Sequence, residues 1–171
     1  MKKIVLATVS VLALGINNSY AAEDSATGKA HATLLAPTTI EESKPMQFGN
    51  MLKGNHSVEV DTSGNRSGEA QYLIGGTDPQ AGEFSIEGTP NQGITISSPA
   101  SFEVKNGSNA MVVDQVKMNL NDGGDQTGGT DFSGSIKSDG KATLKVGGTL
   151  NVTDQTPEGV YEGTYEVKVS Y

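Results

Sequence analysis

Tyr161-Glu162-Gly163-Thr164-Tyr165-Glu166-Val167-Lys168-Val169-Ser170-Tyr171 closes the sequence. Every second residue, from Tyr161 through Gly163, Tyr165, Val167 and Val169 to Tyr171, is aromatic, aliphatic or glycine. Glu162, Thr164, Glu166, Lys168 and Ser170 take the positions between. Successive side chains of a strand project to opposite faces, so this period of two specifies a strand with one buried face and one wet face. Chain ends ordinarily fray, so alternation carried to the last residue predicts a strand pinned in a sheet, as an edge strand or as something more constrained.

The same period recurs upstream in Val58 and Val60; Ala70, Tyr72 and Ile74; Phe84 and Ile86; Ile94 and Ile96; Phe102 and Val104; Val112 to Leu120; Leu144 and Val146; and Leu150 and Val152. Between these runs lie turn-forming clusters such as Thr62-Ser63-Gly64-Asn65, Thr89-Pro90-Asn91, Asn106-Gly107, Asp122-Gly123-Gly124 and Asp139-Gly140. Gly and Asn tolerate the positive φ that tight turns demand. Short strands at this spacing imply an all-β sandwich or barrel, with no substantial helix. A quieter alternation puts Ala26, Gly28, Ala30, Ala32, Leu34 and Ala36 on one face near the N-terminus. It reads either as a strand of small residues able to lie in a narrow groove or as a loose polar tail with a first strand near Ala30. Pro37 and Pro45 mark discontinuities, because proline is disfavoured inside central strands.

The first residues read as a secretory signal peptide. Lys2 and Lys3 precede an apolar run from Ile4 to Ile16, and small Ser19 and Ala21 stand just before Glu23 and Asp24. The run is short for a membrane span, and cleavage is expected after Ala21, with Ala22 as the alternative. The expected organisation is a signal over 1–21 and one all-β domain over 22–171, whose residues 22–29 form a flexible or donor-strand extension. Residues 22–171 hold 10 basic and 20 acidic side chains, a net charge of −10. Such a surface repels nucleic acid and anionic lipid, and no later apolar run is long enough for stable membrane insertion.

Cysteine is absent, so the fold has no disulfides and no thiol chemistry. Leu, Ile, Val and Phe supply only 28 of the 150 residues after the signal. That is a lean core for a highly charged chain, and its regular placement must do what abundance does elsewhere.

No catalytic motif appears: there is no nucleophile elbow, no zinc-binding helix, no phosphate loop and no dinucleotide fingerprint. His31 and His56 each stand without a second imidazole or a carboxylate at ligand spacing and read as exposed strand residues. The pairs Glu41 and Glu42, and Glu162 and Glu166, read as solvated carboxylates. Asp122, Asp125 and Asp131 lie among glycines and offer hard oxygen ligands for calcium, or a plain acidic turn, in a spacing that matches no calcium motif. The chain is therefore expected to be no enzyme and to need no cofactor or metal.

The segments Ala30-His31-Ala32-Thr33-Leu34-Leu35-Ala36-Pro37, Met46-Gln47-Phe48-Gly49, Gly64-Asn65-Arg66-Ser67, Val146-Gly147-Gly148-Thr149-Leu150 and Gly159 to Tyr165, in this order, resemble bacterial exported proteins of the domain of unknown function 4402 family. The ending Gly163-x-Tyr165-x-Val167-x-Val169-x-Tyr171 is also similar to the last strand of chaperone–usher fimbrial subunits, though its tyrosine is terminal, cysteines are absent and the N-terminal alternation uses small residues. That resemblance implies an immunoglobulin-like β-sandwich lacking one strand. A periplasmic chaperone, and then an identical or related subunit, would supply the missing strand by β-strand addition. Gly163, Tyr165, Val167, Val169 and Tyr171 would border the strand-exchange groove, and Ala26, Gly28, Ala30 and Ala32 would be the donor segment. The expectation is an exported surface structural or adhesion subunit, located in the periplasm, at the cell surface or in an extracellular fibre. The alternative is a self-contained secreted sandwich that binds carbohydrate or a host surface.

Overall fold

The computed structural model describes residues 25–171, so the signal expected over 1–21 and the cleavage site lie outside the described residues. The chain divides between Thr33 and Leu34. Ser25–Thr33 form no strand and are exposed throughout. The quiet alternation of small residues there buries nothing within its own segment, which is why it specifies no strand by itself.

From Leu34 onward the fold is all-β, with antiparallel strands and, among the described residues, no helix. In chain order the strands are β1 (Thr39–Lys44), β2 (Asn50–Met51), β3 (His56–Val60), β4 (Arg66–Gly68), β5 (Leu73–Ile74), β6 (Gly82–Glu87), β7 (Gly93–Ser97), β8 (Phe102–Asn106), β9 (Asn109–Leu120), β10 (Asp125–Thr127), β11 (Phe132–Ser135), β12 (Lys141–Val152) and β13 (Lys168–Ser170). β1 fits between Pro37 and Pro45, so the two prolines bound a strand that short-range alternation did not announce.

β12 is the axis of the larger sheet. One edge pairs with β9, and the other is shared end to end by β6, along Lys141–Val146, and β3, along Gly148–Val152. β1 extends the sheet beyond β6, β4 beyond β3, and β8 and β10 lie beyond β9. The runs around Leu144 and Leu150 are thus one strand rather than two. Gly147 and Gly148 keep it continuous where neighbours press closest. A Cβ at Gly147 would sit 2.5 Å from the Val60 carbonyl oxygen, and one at Gly148 2.9 Å from Val113.

Strict alternation from Val112 to Leu120 does not hold, and a β-bulge is the reason. Gln115 and Val116 together face Gly148 alone, and Gln115 takes φ +47°. An extra residue reverses the phase of a strand. Val113 is therefore buried while Val112 is 43% exposed, and Val116, Met118 and Leu120 resume the inward face. His56 is a second correction, since it is only 7% exposed. It begins β3, its Nδ1 is 3.2 Å from the Gly54 carbonyl, and its ring stacks on Tyr72 at 4.2 Å. Tyr72 in turn belongs to a turn, where its N–H donates to Glu69, so of Ala70 to Ile74 only Leu73–Ile74 are strand.

A three-stranded sheet, in the order β11-β7-β13, faces the larger one. Ile94 and Ile96 of β7 join Phe84, Ile86, Val116, Met118, Leu144 and Val146 in one closed core. Val167 and Val169 pack against it. The long C-terminal alternation contracts to the three residues of β13, because the segment leaves the edge of β8 to reach β7 and cannot stay in one ladder.

Candidate functional site

A second, smaller core cluster consists of Val113, Leu150 and Val152. Only the partly buried Phe48, Met51, Phe102, Val104 and Met111 cover it. Above these side chains the two layers do not meet. A groove of about 1280 Å³ opens between residues 45–51 and residues 159–165, with Phe84, Phe102, Val104, Met111 and Leu150 as its floor. All of its lining belongs to the part of the chain after Thr33.

The wall formed by residues 45–51 is tied down along its length. Gln47 and Gln80 exchange two backbone hydrogen bonds of 2.9 Å, and the Gln80 side-chain amide donates to the Pro45 carbonyl. β2 pairs with β5, and Leu52 N–H donates to the Tyr72 carbonyl. Arg66, the single arginine of the chain, donates to the carbonyls of Phe48 (3.3 Å), Asn50 (3.0 Å) and Ile74 (3.1 Å). Gly49, at φ +76°, passes so close beneath the guanidinium that a Cβ there would lie 2.5 Å from Nη1.

The opposite wall is more loosely held. Glu162 exchanges two backbone hydrogen bonds with Lys105 of β8, and Tyr161 Oη donates to the Pro157 carbonyl. The backbones of Tyr161, Gly163 and Tyr165 make no hydrogen bond to any described residue. Adjacent residues of an extended strand direct their N–H and C=O groups to opposite sides. Because Glu162 faces β8, its two neighbours present theirs away from it. Gly163 is required where it stands, as a Cβ would collide with the Glu103 carbonyl oxygen.

Tyr165 anchors this wall. Its ring stacks on Phe102 at 4.8 Å and meets Phe84 edge-on at 5.9 Å. Its hydroxyl is buried with no hydrogen-bond partner among the described residues, and burial first, then the nearby Glu42 charge, pushes its ionisation well above the usual tyrosine range. The charged residues lining the groove, Glu42 and Glu162, are both acidic. The site is thus an elongated apolar trough with an acidic margin and one wall of unpaired backbone. Such a surface can accept an extended chain.

Of the residues singled out in the sequence, Gly163 and Tyr165 line the groove. Val167 and Val169 face the closed core instead, and Tyr171 is 64% exposed. Ala26, Gly28, Ala30 and Ala32 lie in the exposed strandless segment. Met46, Phe48, Met51, Phe102 and Met111 line the trough without having been singled out as a site. The resemblance segment Met46 to Gly49 was the one signal for the first wall, and the structure joins it to Arg66 of another such segment.

The acidic loop has other engagements. Asp122 pairs with Lys145 at 2.8 Å, and Asp125 accepts from Thr62 at 2.7 Å and from Asn119 at 3.0 Å. Among the described residues, no three acidic, His or Cys side chains come together in a metal-binding group. No described helix is long and apolar enough to cross a membrane.

No curated protein and no solved structure matches the chain. The family model described as Domain of unknown function (DUF4402) matches residues 38–171, which include every strand and both walls of the groove. By that match the chain belongs to the DUF4402 family.

Proposed function

We propose that this chain is an exported bacterial surface structural or adhesion protein, a fimbrial or pilus-like subunit that assembles by β-strand exchange. On this reading the fold is an immunoglobulin-like sandwich short of one strand. The observation that carries it is the trough itself, where only partly buried side chains pack over the buried Val113, Leu150 and Val152, beside a wall with unpaired backbone. Exposed edges of this kind invite pairing with another chain.

The segment Ser25–Pro37 of a second copy has suitable chemistry to fill it. It is exposed along its whole length, and Leu34 is 98% exposed. It carries Lys29 and His31 and no acidic residue, opposite a groove margin of Glu42 and Glu162. Electrostatic complementarity of this sort favours encounter and register over raw affinity. A periplasmic chaperone would occupy the groove before the second copy does.

The test is deletion of Ser25–Leu35 from the exported chain. The account expects the intact chain to form head-to-tail oligomers by sedimentation and electron microscopy, and the deletion variant to stay monomeric with unchanged circular dichroism. Normal fibres from the deletion variant would contradict it. An intact chain that is monomeric at every concentration, with oligosaccharide bound in the trough, would instead mark a self-contained binding module.

A further inference from the structure

We infer that successive copies meet in a junction without a linker, in which the turn at residues 88–92 of the copy that supplies the strand lies against the Val160 rim of the copy that receives it. The junction rests on the strand-exchange reading above, to which it adds a direction for the strand and a second contact surface. What dictates it is the short length of chain between Leu34 and the body of its own copy.

Ala36 N–H donates to the Thr89 hydroxyl at 2.8 Å, Thr38 lies against Gly88, and Thr39 is already paired with Glu87. The chain is therefore fixed to the end of β6 from Ala36 onward, and Leu34 stands two residues before that tie. Two extended residues span at most about 7 Å. Glu87 pairs with Lys141 at the start of β12, and Leu150 is nine residues further along that strand, about 30 Å at the rise of a strand. Leu34 of the same copy is thus too far away to cover its own Leu150 and Met111, and only another copy's Leu34 can do so. Once it does, Thr89 of the supplying copy lies within about 10 Å of the receiving trough, and the two bodies touch.

Charge sets which way the strand lies. Glu162 stands directly across from Lys105, whereas Glu42 stands across from Phe84, and Lys44, two residues on, is taken by Glu83. The less compensated charge of the trough is therefore at its Glu42 end. Phe84 also pairs with Leu144, six residues short of Leu150 on β12, so that end is about 20 Å from the Leu150 floor. Lys29 precedes Leu34 by five residues, about 17 Å when extended, so a strand with Lys29 beside Glu42 carries Leu34 to Leu150 and Met111. Its Ala36 end then emerges where Met51, Leu52, Met111 and Tyr161 line a smaller pocket beside the trough. The margin there is apolar and bare, with Val160 76% exposed and Leu52 49% exposed. On the supplying copy, Leu35 and Pro90 flank the tie between Ala36 and Thr89 and are themselves exposed. Apolar groups on both sides leave water when the two bodies meet.

The experiment uses the full exported chain in pairs of differently tagged single-cysteine variants, checked for fold by circular dichroism, joined by a short bismaleimide and resolved by mass. Leu34→Cys with Met111→Cys reports whether the strand occupies the trough, and Pro90→Cys with Val160→Cys reports the junction. Both pairs should link, and Pro90→Cys with Pro45→Cys, which probes the Glu42 end, should not. Four glycine and serine residues inserted between Leu35 and Ala36 should keep the first link and lose the second. An excess of a synthetic peptide of residues 25–37 should abolish both. The affinity of that peptide should fall about two- to fivefold with Glu42→Gln and stay unchanged with Glu162→Gln, the size expected of one exposed charge pair. A link from Leu34 to Met111 without one from Pro90 to Val160, or a Pro90 link to Pro45 instead, would overturn the junction and leave the strand-exchange reading standing. Peptide affinity lowered more by Glu162→Gln than by Glu42→Gln would overturn the direction of the strand and the junction with it. Absence of the link from Leu34 to Met111 would overturn both the junction and the reading beneath it.

Discussion

The two ends of the core are built from the same strands and finished differently. At one end Leu144 and Val146 of β12, with Ile86 and Met118 beside them, are covered by Ile94 and Ile96 of the facing sheet and have no solvent contact worth the name. At the other end Leu150, two turns of the pleat further along the same strand, itself borders the groove and packs against the partly buried Phe48, Met51, Phe102, Val104 and Met111. The sequence of β12 alternates evenly through both ends, so the difference lies in what covers the sheet and not in the sheet. On the proposed reading, stability and partner binding fall to separate halves of one strand.

The largest test of this division is at the closed end. Leu144→Ala, which removes a fully buried side chain with no space to collapse into, should cost about 3–5 kcal/mol in urea denaturation. Met111→Ala at the open end should cost only about 1 kcal/mol or less, because the side chain is half covered and borders solvent-filled space. The same substitution should weaken binding of the 25–37 peptide, which reverses the ranking of the two variants when affinity and not stability is measured. Equal losses of stability at the two positions would erase the distinction.

The smallest expected effect concerns an ion pair that serves the frame at large. The Lys44 side chain donates to Glu83 at 2.9 Å, and this hydrogen bond, reinforced by the lysine charge and Ser43, holds the Glu83 carboxyl below the usual range. A carboxyl whose ionisation is lowered on folding stabilises the fold above its unfolded value and loses that contribution as pH falls through its folded one. Lys44→Met should therefore flatten the acid side of the stability profile, by less than about 1 kcal/mol because both partners reach solvent. An unchanged profile between neutral pH and pH 3 would show that the pair contributes nothing.

How far the sequence revealed this arrangement follows from the range of each signal. Period-two alternation is local, so it marked β3, β6, β7 and β8 well, and it missed β1, where Ile40 is the single apolar residue among Thr39–Lys44 and pairing to β6 does the work. It placed Val112 inside because nothing in the run from Val112 to Leu120 announces a bulge at Gln115. It read Leu144 and Leu150 as separate strands because a Gly-Gly pair resembles a turn until neighbouring backbone is seen to need the space. His56 looked exposed because its cover, Tyr72, comes from a distant turn. The C-terminal alternation correctly marked an apolar face, but not that Tyr165 would line the trough while Val167 and Val169 joined the closed core. The groove is defined by missing cover, and absence of a neighbour has no sequence pattern.

Because the chain has no cysteine, single thiols can be placed without interference. The most direct measurement mixes a Leu34→Cys chain with chains carrying Cys in place of Met51, Val104 or Met111, under mild oxidation, and resolves the products on a non-reducing gel. The account predicts disulfide-linked pairs between different copies, and ladders from a chain carrying both changes. Absence of any linked pair across the three groove positions, or closure of the doubly substituted chain only onto itself, would contradict it.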